Sequence, residues 1–219
     1  MAEALKNMYN REFLQQFGEK VYKVYDSFDI KGFIANVLDN TWIELKLMER
    51  MNRITIILRA YLPESYDESI DILFKIDELC EGFPYLFFPN FVATYGQTDK
   101  DWELSMLALK RFTNRSSSEF AVRPFIMHNP ERMIDKMIEW SKDNNEHVRR
   151  LASEGCRPRL PWGTSLTMFK HDPTMILPVL NQLKEDSSIY VRKSVANNLN
   201  DISKDNPSVI VEIDRKSVV

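Results

Sequence analysis

The chain has 219 residues and a mass of 25.8 kDa, the size of one ordinary domain or one longer repeat array. Apolar residues make up 44% and charged residues 28%, which excludes a disordered chain, and 6 glycines in all leave few hairpin turns and favour helices. The formal charge of −3 excludes a generally basic, polyanion-binding protein, although its distribution along the chain is uneven.

The N-terminus has no basic segment followed by an apolar one, and the longest apolar runs, such as Ile54–Leu58, fall far below the ~20 residues that span a bilayer. We therefore expect a cytoplasmic protein of bacterial type, with no secretory signal and no membrane partner. Phe13, Leu14, Phe17, Val21 and Val24 mark a first amphipathic helix, and Phe28, Ile30, Phe33, Ile34, Val37 and Leu38 a second. A long helix is predicted over Ile43–Leu62, stopped by Pro63, and another over Asp67–Cys80. Only the tail Val209–Ile213 fits a strand, and it fits a helix equally well.

A repeat governs the second half. His128-Asn129-Pro130 recurs 43 residues later as His171-Asp172-Pro173, and Val148-Arg149-Arg150-Leu151-Ala152 recurs at the same spacing as Val191-Arg192-Lys193-Ser194-Val195-Ala196. Each copy reads as two helices, the first capped by Asn or Asp with proline in its first turn. A third copy is expected from Asn206-Pro207. A two-helix unit of this period is the signature of HEAT-like repeats. The predicted fold is an all-α, HEAT-like helical-repeat solenoid, an α-α superhelix whose concave face suits a long ligand. We expect it to occupy residues 1–219 as a single domain.

After the Val-Arg helix of the first copy comes Gly155-Cys156-Arg157-Pro158-Arg159-Leu160-Pro161-Trp162-Gly163, longer than a plain helix connection of ~2–8 residues requires. It is stiff, basic and aromatic. Residues 1–110 carry 12 basic and 18 acidic side chains, whereas residues 111–170 carry 11 and 7, so the basic excess is confined to the segment around this loop. Local potential, not net charge, decides whether a phosphate backbone docks.

Two stretches carry a family resemblance. Ser117-Ser118-Glu119-Phe120-Ala121-Val122-Arg123-Pro124-Phe125, followed by Asn145-Glu146-His147-Val148-Arg149-Arg150-Leu151-Ala152-Ser153-Glu154-Gly155-Cys156-Arg157-Pro158-Arg159-Leu160-Pro161-Trp162, resembles the AlkC branch of the AlkC/AlkD DNA alkylation repair glycosylases. The resemblance implies hydrolysis of the N-glycosidic bond of cationic N-alkylpurines, such as 3-methyladenine, in double-stranded DNA; separately, we expect a monomer with no metal and no cofactor. The resemblance also implies that Glu154 and Glu119 are the catalytic carboxylates and that Trp162 is the aromatic group beside the lesion. Arg150, Arg157 and Arg159 would hold phosphates, with Arg149, Arg123 and Phe120 as further DNA contacts. Some members carry a C-terminal immunoglobulin-like domain, and none is expected here.

The residue types suit that chemistry by themselves. A purine alkylated at a ring nitrogen is cationic and leaves readily, so the developing positive charge on the deoxyribose is what needs a carboxylate. An electron-rich aromatic face attracts a cation. Spacings of 4, 4 and 3 align Glu146, Arg150, Glu154 and Arg157 on one helical face.

Plainer readings stand beside these. Ser116-Ser117-Ser118-Glu119 fits a capping box, Arg150 and Glu154 fit a surface i,i+4 pair, and Trp162 fits a plug at the repeat junction. Val191-Arg192-Lys193 reads as structural, because nothing like Glu-Gly-Cys-Arg follows it. Cys156, among arginines, is expected to have a lowered thiol pKa but no role beyond packing. Residues His128, His147 and His171 lie far apart in sequence, at no metal-ligand spacing. The rival function is a catalytically inactive HEAT-like module that binds damaged DNA or a protein partner.

Overall fold

A computed structural model describes residues 5–211, and among them there are helices and turns but no strand. They divide into two compact units, between Ser117 and Ser118. The fold is the all-α helical-repeat class that the periodicity predicts.

In the first unit, α1 (Arg11–Tyr22) and α2 (Ile30–Val37) form where they do because a side chain caps each. Asn10 accepts from the Phe13 N–H at 2.9 Å and Asp29 from the Gly32 N–H at 3.0 Å, satisfying amides that the helix itself leaves open. Leu14, Phe17, Val21, Phe33, Ile34 and Val37 face inward. Phe17 meets Phe87 edge to face at 5.0 Å and Phe88 at 6.0 Å, both on α5 (Phe87–Tyr95), and lies 5.9 Å from Phe33, so these rings build an aromatic core.

Two helices are shorter than their apolar pattern predicts. The long one begins at Leu47, not Ile43: α3 is Leu47–Tyr61, and a separate 3-10 turn covers Trp42–Glu44. The break is stabilised by Glu49, whose carboxylate accepts from the Lys46 N–H at 2.7 Å. The other, α4 (Tyr66–Ile76), gives way to a 3-10 turn at Asp77–Leu79. Asp77 is buried there and receives both Nε (2.6 Å) and Nη2 (2.7 Å) of Arg111 on α6 (Trp102–Thr113). A buried carboxylate has to find its cation, and that need overrides helical continuation.

The second unit holds the repeat: α7 (Val122–His128), α8 (Pro130–Trp140), α9 (Glu146–Gly155), the short α10 (Thr167–His171), α11 (Leu177–Leu183) and α12 (Ile189–Ser203). Helix α8 packs on α9 and α11 on α12, while α9 lies against α12 and α8 against α11, so equivalent helices stack on each other. Buried side chains recur at the 43-residue interval: Met133 with Ile176, Met137 with Leu180, Trp140 with Leu183, Val148 with Val191, Ala152 with Val195. The start of the third copy is helical over 207–211, which decides the tail in favour of helix, and residues 212 and 213 lie outside the described range.

Polar details repeat as well. Arg149 donates to the carbonyls of Asp143 and Asn144, both at 2.9 Å, and Arg192 to those of Asp186 and Ser187, 43 residues on. Arg149 also reaches across the copies, with Nε 2.6 Å and Nη2 3.0 Å from the Asp186 carboxylate. That hydrogen bond raises the Arg149 pKa and lowers that of Asp186. Arg149 is thus a clasp between repeats.

Gly155 closes α9 where α7 and α8 crowd it: a Cβ there falls 2.5 Å from Val122 Cγ2 and 3.0 Å from Met137 Cε. Gly155→Ala is therefore expected to destabilise the protein by about 1–3 kcal/mol through overpacking. Urea unfolding followed by circular dichroism measures it, with the midpoint falling at an unchanged slope.

Candidate functional site

The site is assembled around the C-terminal half of α9. Glu119 lies in the turn before α7, with Ala121 at the N-cap position of that helix, so the capping-box reading does not describe it. Its carboxylate is hydrogen-bonded instead to Nη1 of Arg150. Nη2 of the same guanidinium lies 3.5 Å from Oε1 of Glu154, one turn along α9, and its plane sits over the Tyr190 ring of α12, 5.3 Å from the centroid. The two candidate carboxylates therefore share one arginine.

The chain of charges continues inward. Helix α9 ends at Gly155, yet the turn persists far enough for Arg157 Nη1 to donate to Glu154 Oε1 at 2.6 Å. Nε of Arg157 donates to Asp201 of α12 at 2.9 Å, and the Ser194 hydroxyl, also from α12, donates to Glu154 Oε2 at 2.6 Å. Glu154, Arg157, Ser194 and Asp201 are all buried. Burial pulls the Arg157 pKa down, but its hydrogen bonds to Asp201 and Glu154 outweigh this and leave it raised. Three carboxylates (Glu119, Glu154, Asp201) meet two guanidiniums (Arg150, Arg157) and the Lys204 ammonium, whose Nζ lies 3.3 Å from Asp201 Oδ1, so the formal charges of this cluster balance.

The loop after α9 presents Trp162 beyond this cluster in sequence. Its φ of 64° is a left-handed conformation that a bulky residue adopts only under constraint, and the side chain is 58% exposed, which sets aside the plug reading. The constraint comes from the loop neck. Leu166 N–H donates to the Pro158 carbonyl at 3.2 Å, and the Ser165 hydroxyl to the same oxygen at 3.1 Å. Arg123 of α7, 1% exposed, donates to the carbonyls of Gly155 and Arg157 at 3.0 Å each, and to Thr164 at 2.5 Å. It ties the helix end to the far side of the loop.

Several expected DNA contacts are put to other work. Arg123 is spent on main-chain carbonyls, and burial lowers its pKa to about 10, which still leaves it charged at neutral pH. Arg149 is the inter-repeat clasp, with its fork occupied by Asp186. Arg157 is buried between Glu154 and Asp201. Each of the three directs its guanidinium to acceptors of the chain itself. Glu146, the fourth member of the aligned face, turns away to accept from the Ser188 hydroxyl. Arg159 remains outward, 38% exposed at the side chain, and is held by Asp205 at 2.7 Å. Phe120 is half-buried in the turn beside Glu119.

Three α12 residues in this cluster, Ser194, Asp201 and Tyr190, were not singled out by sequence, because the second repeat copy reads as structural. One signal was present: Ser194 stands opposite Leu151 in the 43-residue register, a hydroxyl where packing calls for an apolar side chain. Among the described residues, no group of His, Cys, Asp and Glu is arranged to hold a metal ion, and no helix is long and apolar enough to cross a membrane.

Fold and site define a helical-repeat protein whose cluster of paired carboxylates and arginines adjoins an exposed, strained tryptophan loop. Comparison with known proteins gives this class a family. A family model described as DNA alkylation repair enzyme matches residues 93–212. The protein YhaZ of Bacillus subtilis (strain 168) is 46% identical over 209 residues, 95% of this chain and 58% of YhaZ. The solved alkylpurine DNA glycosylase AlkC of Pseudomonas fluorescens, bound to DNA containing an abasic site analog, is 45% identical with a TM-score of 0.90, over 95% of this chain and 58% of that one. The chain belongs to the DNA alkylation repair enzyme family, in its AlkC branch. It spans somewhat over half the length of the relatives it matches.

The cysteine expectation is corrected in sign. Cys156 is wholly buried, and desolvation pushes its thiol up to about 12 in spite of the nearby Arg123; burial likewise takes Cys80 to about 11. Both thiols should resist an aromatic disulfide reagent in the native protein and react on unfolding in urea. Below the ordinary thiol pKa of about 8.5, folded and unfolded chains hold the same protons. Above it the unfolded thiols ionise first, so their contribution to stability is lost progressively as pH rises from about 8.5 through the folded values. Thermal melts across that range read this out as a falling midpoint.

Proposed function

We propose that the protein is a DNA glycosylase of base-excision repair, which hydrolyses the N-glycosidic bond of cationic N-alkylpurines such as 3-methyladenine in duplex DNA. The observation that carries this reading is the pair of carboxylates, Glu119 and Glu154, held in place on the single Arg150 guanidinium. Similarity to a solved alkylpurine DNA glycosylase supports the same reading.

The chemistry follows from charge. The alkylated base departs as a neutral purine, while positive charge moves to C1′ and the ring oxygen of the deoxyribose. A fixed carboxylate facing that carbon stabilises the charge and orients the attacking water, and we assign this to Glu154 with Glu119 assisting. A carboxylate already held in place needs little reorganisation as the charge develops, which is where electrostatic catalysis gains most. Trp162, exposed on its strained loop, offers a π-face to the cationic nucleotide. Arg150 and Arg159 are the proposed phosphate contacts.

The decisive experiment is single-turnover release of 3-methyladenine from methylated duplex DNA. Glu154→Gln keeps volume and removes charge, and is expected to slow release by ~10²-fold or more. Its affinity for undamaged DNA should hold or rise. Glu119→Gln should behave alike, with a smaller effect. Release by both folded variants at the unmodified rate would remove Glu119 and Glu154 from the reaction, since a carboxylate tied to arginines also serves as plain structural glue, whereas no release by the wild-type protein would leave the inert DNA-binding or protein-binding module as the better reading.

The phosphate contacts have their own test. Arg150→Ala and Arg159→Ala should each lower the slope of log K against log salt by roughly 0.9, the value for one lost phosphate contact. Arg149→Lys, at the inter-repeat clasp, should leave that slope unchanged.

A further inference from the structure

Glu154 sits on a helix by a side chain with three rotatable bonds, and a carboxylate that must face one carbon has to be held to within about 0.5 Å. Both of its oxygens are held. Arg157 donates to Oε1 at 2.6 Å, and Ser194 donates to Oε2 at 2.6 Å. Arg157 is itself oriented by Asp201, which accepts from its Nε at 2.9 Å. Ser194 and Asp201 lie two turns apart on α12 and so share the helical face that packs on α9; Asn198, between them, donates to the Ser153 carbonyl of α9 at 2.8 Å.

Packing alone does not account for these residue types. In the 43-residue register Ser194 takes the place of Leu151, and Ala or Leu there would fill the same interface with no hydroxyl to satisfy. A buried hydroxyl and a buried carboxylate two turns apart are costly unless each has a partner; Ser194 finds Glu154 itself, and Asp201 finds Lys204 and Arg157, the arginine that holds Glu154. Asp201 has a second effect. By engaging Nε it takes that side of the Arg157 guanidinium away from Glu154, which accepts from Nη1 instead.

We propose that α12 is the positioning helix of the site: Ser194 directly, and Asp201 through Arg157, are positioning residues that fix the Glu154 carboxylate in its reacting orientation. This rests on the glycosylase reading of Glu154. The second repeat copy then supplies the geometry that the first copy's glutamate uses.

The test is single-turnover release of 3-methyladenine at saturating DNA, with affinity for undamaged duplex and the thermal midpoint measured alongside. Ser194→Ala should slow release on the order of tenfold, below the about hundredfold that a 1 Å misplacement costs, with DNA affinity unchanged. Ser194→Thr, which keeps the hydroxyl, should restore most of the rate. In a Glu154→Gln background Ser194→Ala should cause no further loss, because its effect passes through the charged glutamate. Asp201→Asn provides a second, isosteric variant should Ser194→Ala unfold, and should slow release with affinity likewise intact. Wild-type release with Ser194→Ala and Asp201→Asn both at the wild-type rate overturns the positioning role alone. Equal losses with and without the Glu154 charge also overturn it, as the signature of a merely structural effect. No release by the wild-type protein overturns the glycosylase reading and this role with it.

Discussion

Arg157 is the side chain on which this site depends. A buried guanidinium must find its acceptors nearby, and Arg157, just past the end of α9, divides its donors between Glu154 in the last turn of α9 and Asp201 on α12. Removing one partner from such a buried group costs ~3–5 kcal/mol, so the arrangement is close to all or none. From it follow the register of α9 against α12 and the side of α9 on which Glu154 points. The Arg157 guanidinium is thereby engaged within the chain, and the carboxylates of the cluster are balanced by Arg150, Arg157 and Lys204.

A second buried arginine does for the loop what Arg157 does for the carboxylate. Arg123 gathers three main-chain carbonyls that the end of α9 and the loop leave without intrahelical partners, at Gly155, Arg157 and Thr164. The loop is closed at its neck, and the closure holds Trp162 in a backbone conformation that a free tryptophan avoids. Both arginines convert basic character that looks like a phosphate surface into internal scaffolding. Arg149 is a third case, its charge spent on Asp186 of the next repeat.

The architecture explains how one short unit can support a demanding site. Neither copy of the repeat holds all the groups: Glu119 precedes it, Glu154 and Arg157 come from the first copy, and Ser194 and Asp201 come from the second. Stacking equivalent helices places residues about 43 positions apart side by side, so a difference between copies becomes a local specialisation. Where the first copy has Leu151 the second has Ser194, and that substitution faces the one buried glutamate in the interface.

The sequence by itself determined the helical class, the 43-residue period, the cap at Asn129 and the family, because these rest on local signals: side-chain periodicity, turn chemistry and a contiguous motif running from Asn145 to Trp162. The expected cap at Asp172 instead opens a 3-10 turn at Thr174–Ile176, and the helix of that copy begins at Leu177. It also marked Glu119, Arg150 and Glu154 as residues worth joining, and the fold joins them. What it could not determine was which arginines remain outward. Arg123, Arg149, Arg157 and Arg159 read alike in one dimension, and only packing buries the first and third, spends the second on the next repeat and leaves the fourth exposed. The same holds for Cys156, where neighbouring positive charge in the sequence suggested a lowered pKa and complete burial raised it instead. Ser194 and Asp201 were out of view for the same reason. Their distance from Glu154 along the chain is 40 residues or more, and only the stacking of α12 on α9 turns that separation into a hydrogen bond or a shared arginine.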